Sequence, residues 1–95
     1  MLVQHKKNNG KGFFYIGEED NRLAEITYTM PSPVKMIIDH TEVSDELRGK
    51  NAGNELVAAA VEYARANSIK IIPLCPYADS VFKKKTEFHD VLSQT

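Results

Sequence analysis

Leu47-Arg48-Gly49-Lys50-Asn51-Ala52-Gly53-Asn54 joins a β-branched, strand-like run, Met36 to Val43, to an Ala-rich helical run, Glu55 to Asn67. A basic, glycine-containing turn that opens a helix suits a phosphate group. The first backbone N–H groups of a helix have no partner inside it and point along the axis, where the macrodipole also favours negative charge. Gly49 and Gly53 carry no side chain to keep a ligand off that backbone, and Arg48 and Lys50 add mobile positive charge. A mostly apolar run, Ile69 to Leu74, follows the helix. Strand, helix, strand at this spacing predicts a right-handed βαβ unit whose two strands are parallel.

Working outward, the chain before this unit reads as antiparallel β. Leu2 to His5, Phe13 to Ile16 and Leu23 to Met30 are short strand-like runs separated by Asn8-Asn9-Gly10-Lys11-Gly12 and Glu18-Glu19-Asp20-Asn21. In the third run Ala24, Ile26, Tyr28 and Met30 alternate with Glu25, Thr27 and Thr29, as a half-buried strand requires. Pro31-Ser32-Pro33 is expected to end that strand. A strict alternation through Val34 to Val43 places Met36, Ile38, His40 and Glu42 on one face and Ile37, Asp39, Thr41 and Val43 on the other. In the helix, Gly53, Leu56, Val57, Ala60, Val61 and Ala64 form one stripe, the mark of packing on a sheet. The mostly apolar fifth strand is expected to be covered on both faces. A last amphipathic segment runs from about Ala78 to Leu92. The expectation is one small α/β domain over residues 1–95: a mostly antiparallel sheet, one parallel crossover, and helices packed on it.

Composition bounds the function. At 95 residues there is room for a single core, and about 60 to 70% of the unfolded surface can be buried without staples. A formal charge of −1 argues against a nucleic-acid binder that relies on overall basicity, so any positive site must be local. Lys83-Lys84-Lys85 is a second such run, read more simply as a solvated helix face. Cys75 is the single cysteine, which excludes an intramolecular disulfide. With His5, His40 and His89 scattered, no metal-ligand spacing exists. No apolar stretch approaches about 18 residues and no secretory h-region opens the chain, so a reduced, cytoplasmic protein with no membrane role is expected. The turn lacks the Gly-Lys-Ser/Thr ending of a P-loop, which sets ATP and GTP aside.

A strand ending in an acidic and a β-branched residue, followed by Arg-Gly-Lys-x-x-Gly opening a helix, resembles motif A of the GNAT acetyltransferase superfamily, written Gln/Arg-x-x-Gly-x-Gly/Ala. Arg48, Ala52 and Gly53 match in frame. Asn51 stands where the middle glycine is expected, and Asn is the non-glycine residue that best tolerates a left-handed backbone. Ile71-Ile72-Pro73-Leu74-Cys75-Pro76-Tyr77 is similar to a small, stand-alone subgroup with a Pro-x-Cys-x-Tyr segment at the end of the fifth strand. The resemblance implies acetyl-CoA as cofactor, with pyrophosphate on the backbone of Arg48, Gly49, Lys50, Asn51, Ala52, Gly53 and Asn54. It also implies the pantetheine arm between the fourth and fifth strands and the thioester near Thr41, Glu42 and Val43, where a backbone N–H supports the oxyanion.

Acetyl transfer needs a nucleophile, an oxyanion donor and an acid for the leaving thiolate. Cys75 ends a parallel strand, where ligand sites of α/β folds gather; it either takes the acetyl group, lines the pantetheine tunnel, or is buried filler. His40 is the first candidate base, with Glu42 and Asp39 as alternatives. Tyr77 is the candidate proton donor, with plain packing as its other reading. Asn54 either caps the helix or contacts phosphate, and Ser80 either caps the last helix or touches the cofactor. The leading expectation is an N-acetyltransferase acting on an unidentified amine, carried by a small molecule or a protein. The alternative is a CoA or acyl-CoA binding module with little turnover.

Overall fold

The computed structural model describes residues 1–93. Five strands, β1 (Gln4–Asn8), β2 (Lys11–Glu18), β3 (Asn21–Ser32), β4 (Lys35–Val43) and β5 (Lys70–Pro73), form one sheet in chain order. The three pairings from β1 to β4 are antiparallel and β4 to β5 is parallel, joined across helix α1 (Ala52–Ala66). A second helix, α2 (Pro76–Lys84), and two 3-10 segments, Asp45–Leu47 and Thr86–Val91, complete the order of elements among the described residues. The expected topology is the observed one.

Several boundaries differ, each for a local reason. β3 runs through Pro31 to Ser32 because that proline falls where the β3–β4 register shifts, so its missing N–H interrupts no regular ladder. α1 begins three residues before Glu55, because Asn51 takes a left-handed backbone (φ 67°) and turns the chain straight into the helix. The last segment is broken into two pieces. Pro76 occupies the first position of α2, where its fixed φ suits the helix, and Lys85 leaves helical geometry at φ −104°, ψ 82°. β5 is covered on one face only: Ile71 is fully buried, Ile72 half-buried and Leu74 exposed. Its outer edge receives the C-terminal chain, where the Ser93 N–H donates to the Ile71 carbonyl at 2.8 Å.

Helix packing follows the stripe. Gly53, Leu56, Val57, Ala60, Val61 and Ala64 are all buried, and they meet Phe14, Ile26, Tyr28, Met36, Ile38 and Ile71 from the sheet and Phe82 from α2. Full burial of each large aliphatic or aromatic side chain stabilises by about 1.5 to 3 kcal/mol. The alanines let α1 lie close to the strands.

One correction bears on the site. β4 does not alternate uniformly, because Tyr28 pairs with Ile38 and Thr27 with His40, leaving Asp39 as an extra residue in a β-bulge. The phase therefore flips after Ile38. Thr41 and Val43 join Met36 and Ile38 on the helix side, while His40 and Glu42 are exposed beside their partners Thr27 and Glu25 on the open face. This is the reverse of the strict alternation.

Candidate active site

The site begins where β5 leaves β4. Pairing ends at Ile38 with Pro73, which has no N–H to donate, and the N–H groups of Leu74 and Cys75 then both converge on the Ile38 carbonyl at 3.1 and 3.2 Å. Pro76 starts α2 immediately afterwards and carries the chain away from the sheet. Asp39 to Val43 thus continue without a β5 neighbour. The Ser44 N–H donates to the Leu23 carbonyl at 2.8 Å. Counting back in twos along an antiparallel ladder, the backbone groups of Val43 and Thr41 face away from β3, into the gap.

Across the gap stands the phosphate-suited turn. Gly49 adopts φ +76°, and a Cβ built there meets nothing within 4 Å, so glycine is required by conformation and not by space. Asn51, also left-handed, precedes α1 without a side-chain cap. The N–H groups of Ala52, Gly53 and Asn54 therefore have neither an intrahelical partner nor a cap, and the dipole of a fifteen-residue helix lies behind them. Asn51 Oδ1 instead accepts from Asn54 Nδ2 at 2.5 Å. Arg48 Nε lies 3.2 Å from the Asp45 carboxylate with both side chains well exposed, a pairing that holds the guanidinium only weakly. Between these walls lies a cleft of about 370 Å³. Thr41 and Val43 line it from β4, Leu47, Arg48, Gly49 and Asn51 from the turn, Ala52 and Gly53 from α1, and Tyr77 from α2.

Tyr77 lines the cleft from α2, and Cys75, two residues before it, lies behind Thr41 of the lining. Cys75 is buried and is the N-cap of α2, its Sγ accepting from the Ala78 N–H at 3.5 Å. Its Sγ also lies 3.0 Å from Thr41 Oγ1. Tyr77 donates its O–H to Asn54 Oδ1 at 3.0 Å. Burial raises the Tyr77 pKa above the ordinary 10.0, and the neighbouring Cys75 raises it further, so the phenol holds its proton at neutral pH. The ring lies against Gly53 so closely that a Cβ there would stand 2.5 Å from the hydroxyl oxygen. This close approach is what Gly53 permits.

The cleft thus brings together Thr41, Val43, Arg48, Gly49, Asn51, Ala52, Gly53 and Tyr77 of the expected set, with Cys75 in contact with Thr41. It leaves out His40 and Glu42, which the bulge turns to the other face; Glu42 lines a separate groove with Arg22, Glu25 and Asp45. Asp39 accepts from Thr29 Oγ1 at 2.6 Å, outside the cleft. Lys50 and Asn54 stand beside the lining without forming part of it. Ser80 Oγ donates to the Tyr77 carbonyl at 2.7 Å, within α2. Sequence reasoning missed Leu47, whose signal is an apolar residue inside an otherwise polar turn. His5 and His89 are occupied structurally, by the Tyr28 hydroxyl and the Phe82 carbonyl, each at 2.6 Å. Lys83 pairs with Asp79 at 3.0 Å on the exposed side of α2, as a solvated face should. Among the described residues no His/Cys/Asp/Glu group suits a metal ion, and no helix is long and apolar enough to cross a membrane.

Comparison with known proteins bears on the whole arrangement. The family model for GCN5-related N-acetyl-transferases matches residues 13–91. The solution structure of a "GCN5-like putative N-acetyltransferase" from Staphylococcus aureus is 43% identical, with a TM-score of 0.75 over 97% of this chain and 89% of that one. The fold is also shared with a ribosomal-protein-alanine N-acetyltransferase from Brucella melitensis biovar Abortus 2308 (14% identity, TM-score 0.67, 93% of this chain and 65% of that one). A further likeness of fold is to an IAA acetyltransferase from Bacillus cereus (18% identity, TM-score 0.59, covering 78% and 53%). This chain spans 65% and 53% of the lengths of those two larger proteins. Matched along most of its length, and close in sequence to a GCN5-like protein of nearly its own size, the chain belongs to the GCN5-related N-acetyltransferase family.

Proposed function

We propose that this chain is an N-acetyltransferase that moves the acetyl group of acetyl-CoA, the co-substrate of its family, onto an amine. One observation carries the reading: the uncapped start of α1 and the unpaired stretch of β4 face the same cleft. The N–H groups of Ala52 and Gly53, opened by the left-handed turns at Gly49 and Asn51, hold the pyrophosphate. Arg48 adds charge from the lining and Lys50 from just outside it. The backbone of Thr41 and Val43 offers strand-like hydrogen bonds to the amide-bearing pantetheine arm, and one of these N–H groups steadies the thioester oxygen as negative charge develops there.

In the chemical step the amine nitrogen attacks the thioester carbon, the carbon–sulfur bond breaks, and the departing thiolate takes the Tyr77 proton. The amine proton passes to solvent, which returns a proton to Tyr77, because among the described residues no carboxylate or imidazole lines the cleft. Direct transfer suits this site better than an acetyl-Cys75 intermediate, since Cys75 is buried and engaged as a helix cap. A Cys75→Ala variant should therefore still bind acetyl-CoA and transfer acetyl. Loss of transfer together with an acetylated Cys75 in the parent, read by mass spectrometry, would establish the covalent route instead.

The missing base also favours a second reading, a CoA or acyl-CoA binding module with little turnover. Titration with acetyl-CoA, CoA and ATP, followed by backbone amide NMR, tests the cofactor. Shifts confined to Arg48–Asn54 and Thr41–Val43 with both CoA species and none with ATP are expected. Acetyl release to a panel of amines then separates enzyme from module. No shifts with any of the three would end both readings.

A further inference from the structure

Asn54 neither caps α1 nor lines the cleft, yet its side chain makes two hydrogen bonds, and these join the two halves of the site. We infer that Asn54 is a positioning residue that fixes the Tyr77 hydroxyl at the cleft and ties it to the Asn51 turn, so that the proton donor and the phosphate-binding loop form one unit. The inference rests on the acetyl-CoA reading above.

The geometry is directional. Asn54 Oδ1 accepts the Tyr77 O–H at 3.0 Å, and Asn54 Nδ2 donates to Asn51 Oδ1 at 2.5 Å. An amide has both an acceptor and a donor end, and each is used here on a different partner. The Tyr77 ring is confined from one side by the Gly53 backbone and at its tip by this amide. Tyr77 is 39% exposed, so without that bond solvent would compete for the hydroxyl and the ring would sample other rotamers. At the other end, Asn51 is the left-handed residue whose backbone opens the first turn of α1. A ligand that settles on this turn therefore also settles the position of Tyr77. Within the pair, the other titratable neighbour acting on Tyr77 is Cys75.

Three variants test this: Asn54→Ala, Asn54→Asp and Tyr77→Phe, with the Asn54→Ala/Tyr77→Phe double variant. Tyrosine-ring NMR of the cofactor-free protein reads the Tyr77 titration. It should move to lower pH in Asn54→Ala, which removes the acceptor that stabilises the protonated phenol, and stay high in Asn54→Asp, which keeps an acceptor oxygen. A merely structural role would move both variants alike or neither. Calorimetric titration with CoA and acetyl-CoA should show each single variant weakened about two- to tenfold, the range of one lost hydrogen bond. The double variant should be no weaker than the worse single one, because the residues act together. Additive losses, or an Asn54→Ala protein whose Tyr77 titration is unchanged, would overturn the inference while leaving the acetyl-CoA reading intact. A parent protein that binds neither CoA species would overturn that reading and the inference with it.

Discussion

Gly53→Ala separates what the cleft needs from what the fold needs. The new Cβ would stand 2.5, 2.6 and 2.7 Å from Oη, Cζ and Cε2 of Tyr77. Ordinary carbon contacts lie near 3.5 to 4.0 Å, so the ring must retreat by about 1 Å. It can do so, because Tyr77 is partly exposed and the clash is with a side chain and not with backbone. Retreat gives up the Tyr77–Asn54 hydrogen bond, a loss of about 0.5 to 1.5 kcal/mol. Against it, replacing glycine by alanine within a helix stabilises by up to about 1 kcal/mol. The two effects nearly cancel, and a net change within about 1 kcal/mol moves the Tm of a domain of this size by less than about 8 °C. Ligand binding has no such compensation. On the proposed placement the displaced Tyr77 ring and the added methyl disturb the ligand at the start of α1, and losing one charge-assisted hydrogen bond of about 1.5 to 3 kcal/mol lowers acetyl-CoA affinity roughly ten- to hundredfold. Thermal melts and calorimetric titration on the same sample give both numbers. Near-parental acetyl-CoA affinity would refute the placement of the cofactor, and a collapse in Tm would refute the claim that Tyr77 can yield.

Three further outcomes are expected. Gly49→Ala should lose about 1 to 2 kcal/mol in chemical denaturation, from the left-handed backbone alone since the site has space, and should weaken CoA binding. Deleting Asp39 should leave every β3–β4 pair in place and remove the bulge between Tyr28 and Thr27, the irregularity near Pro31 remaining; the variant stays folded by circular dichroism but binds acetyl-CoA at least tenfold more weakly, because the straightened strand narrows the gap to β5. The His5 pKa is held below its ordinary 6.5, chiefly by burial and then by Lys7. Its contribution to stability is therefore present above the unfolded value of 6.5 and lost as the pH falls through the lower folded value, so the Tm of the parent should drop across that window more than that of His5→Gln; superimposable profiles would refute the assignment.

How much of this was legible in the sequence varies by physical cause. The helix stripe was fully legible, because burial of Leu56, Val57, Ala60, Val61 and Ala64 follows directly from a 3.6-residue period. The left-handed backbone at Asn51 was legible from its residue type, whereas Gly49 was read only as a missing side chain and proves to be left-handed as well. The faces of β4 were not legible. His40 and Glu42 looked inward because alternation was carried through Asp39, and a single bulged residue, which no local composition marks, reverses everything after it. The contact of Thr41 with Cys75 joins residues 34 positions apart and depends on that same reversal. The Asn51–Asn54–Tyr77 chain depends on how α2 docks against α1, which is set by packing of Ala78 and Phe82 in the core and not by any spacing along the chain.

The cleft is made from interruptions of regular structure and not from added elements. β4 is bulged at Asp39, β5 is stopped by Pro73 and led away by Pro76, and α1 is entered through a left-handed Asn51 with no cap. The early end of β5 leaves Thr41 and Val43 without a strand neighbour on that side, and the uncapped start of α1 leaves its first N–H groups without an intrahelical partner, a state that folded chains rarely tolerate unless water or a ligand takes the place. Scattered over the surface, such defects would each be satisfied by solvent and do nothing more. Here the bulge turns Thr41 and Val43 toward the side from which β5 has departed, and the uncapped helix start faces them across the same gap. The lining therefore runs from Thr41 and Val43 of β4 to Ala52 and Gly53 of α1, and on the proposed placement the thioester lies at the first end and the pyrophosphate at the second. Such a lining suits a ligand that carries amides along its length and a pyrophosphate at one end. The open face of the sheet, where His40 and Glu42 lie, shares none of these interruptions beyond the bulge itself and presents side chains in place of open backbone.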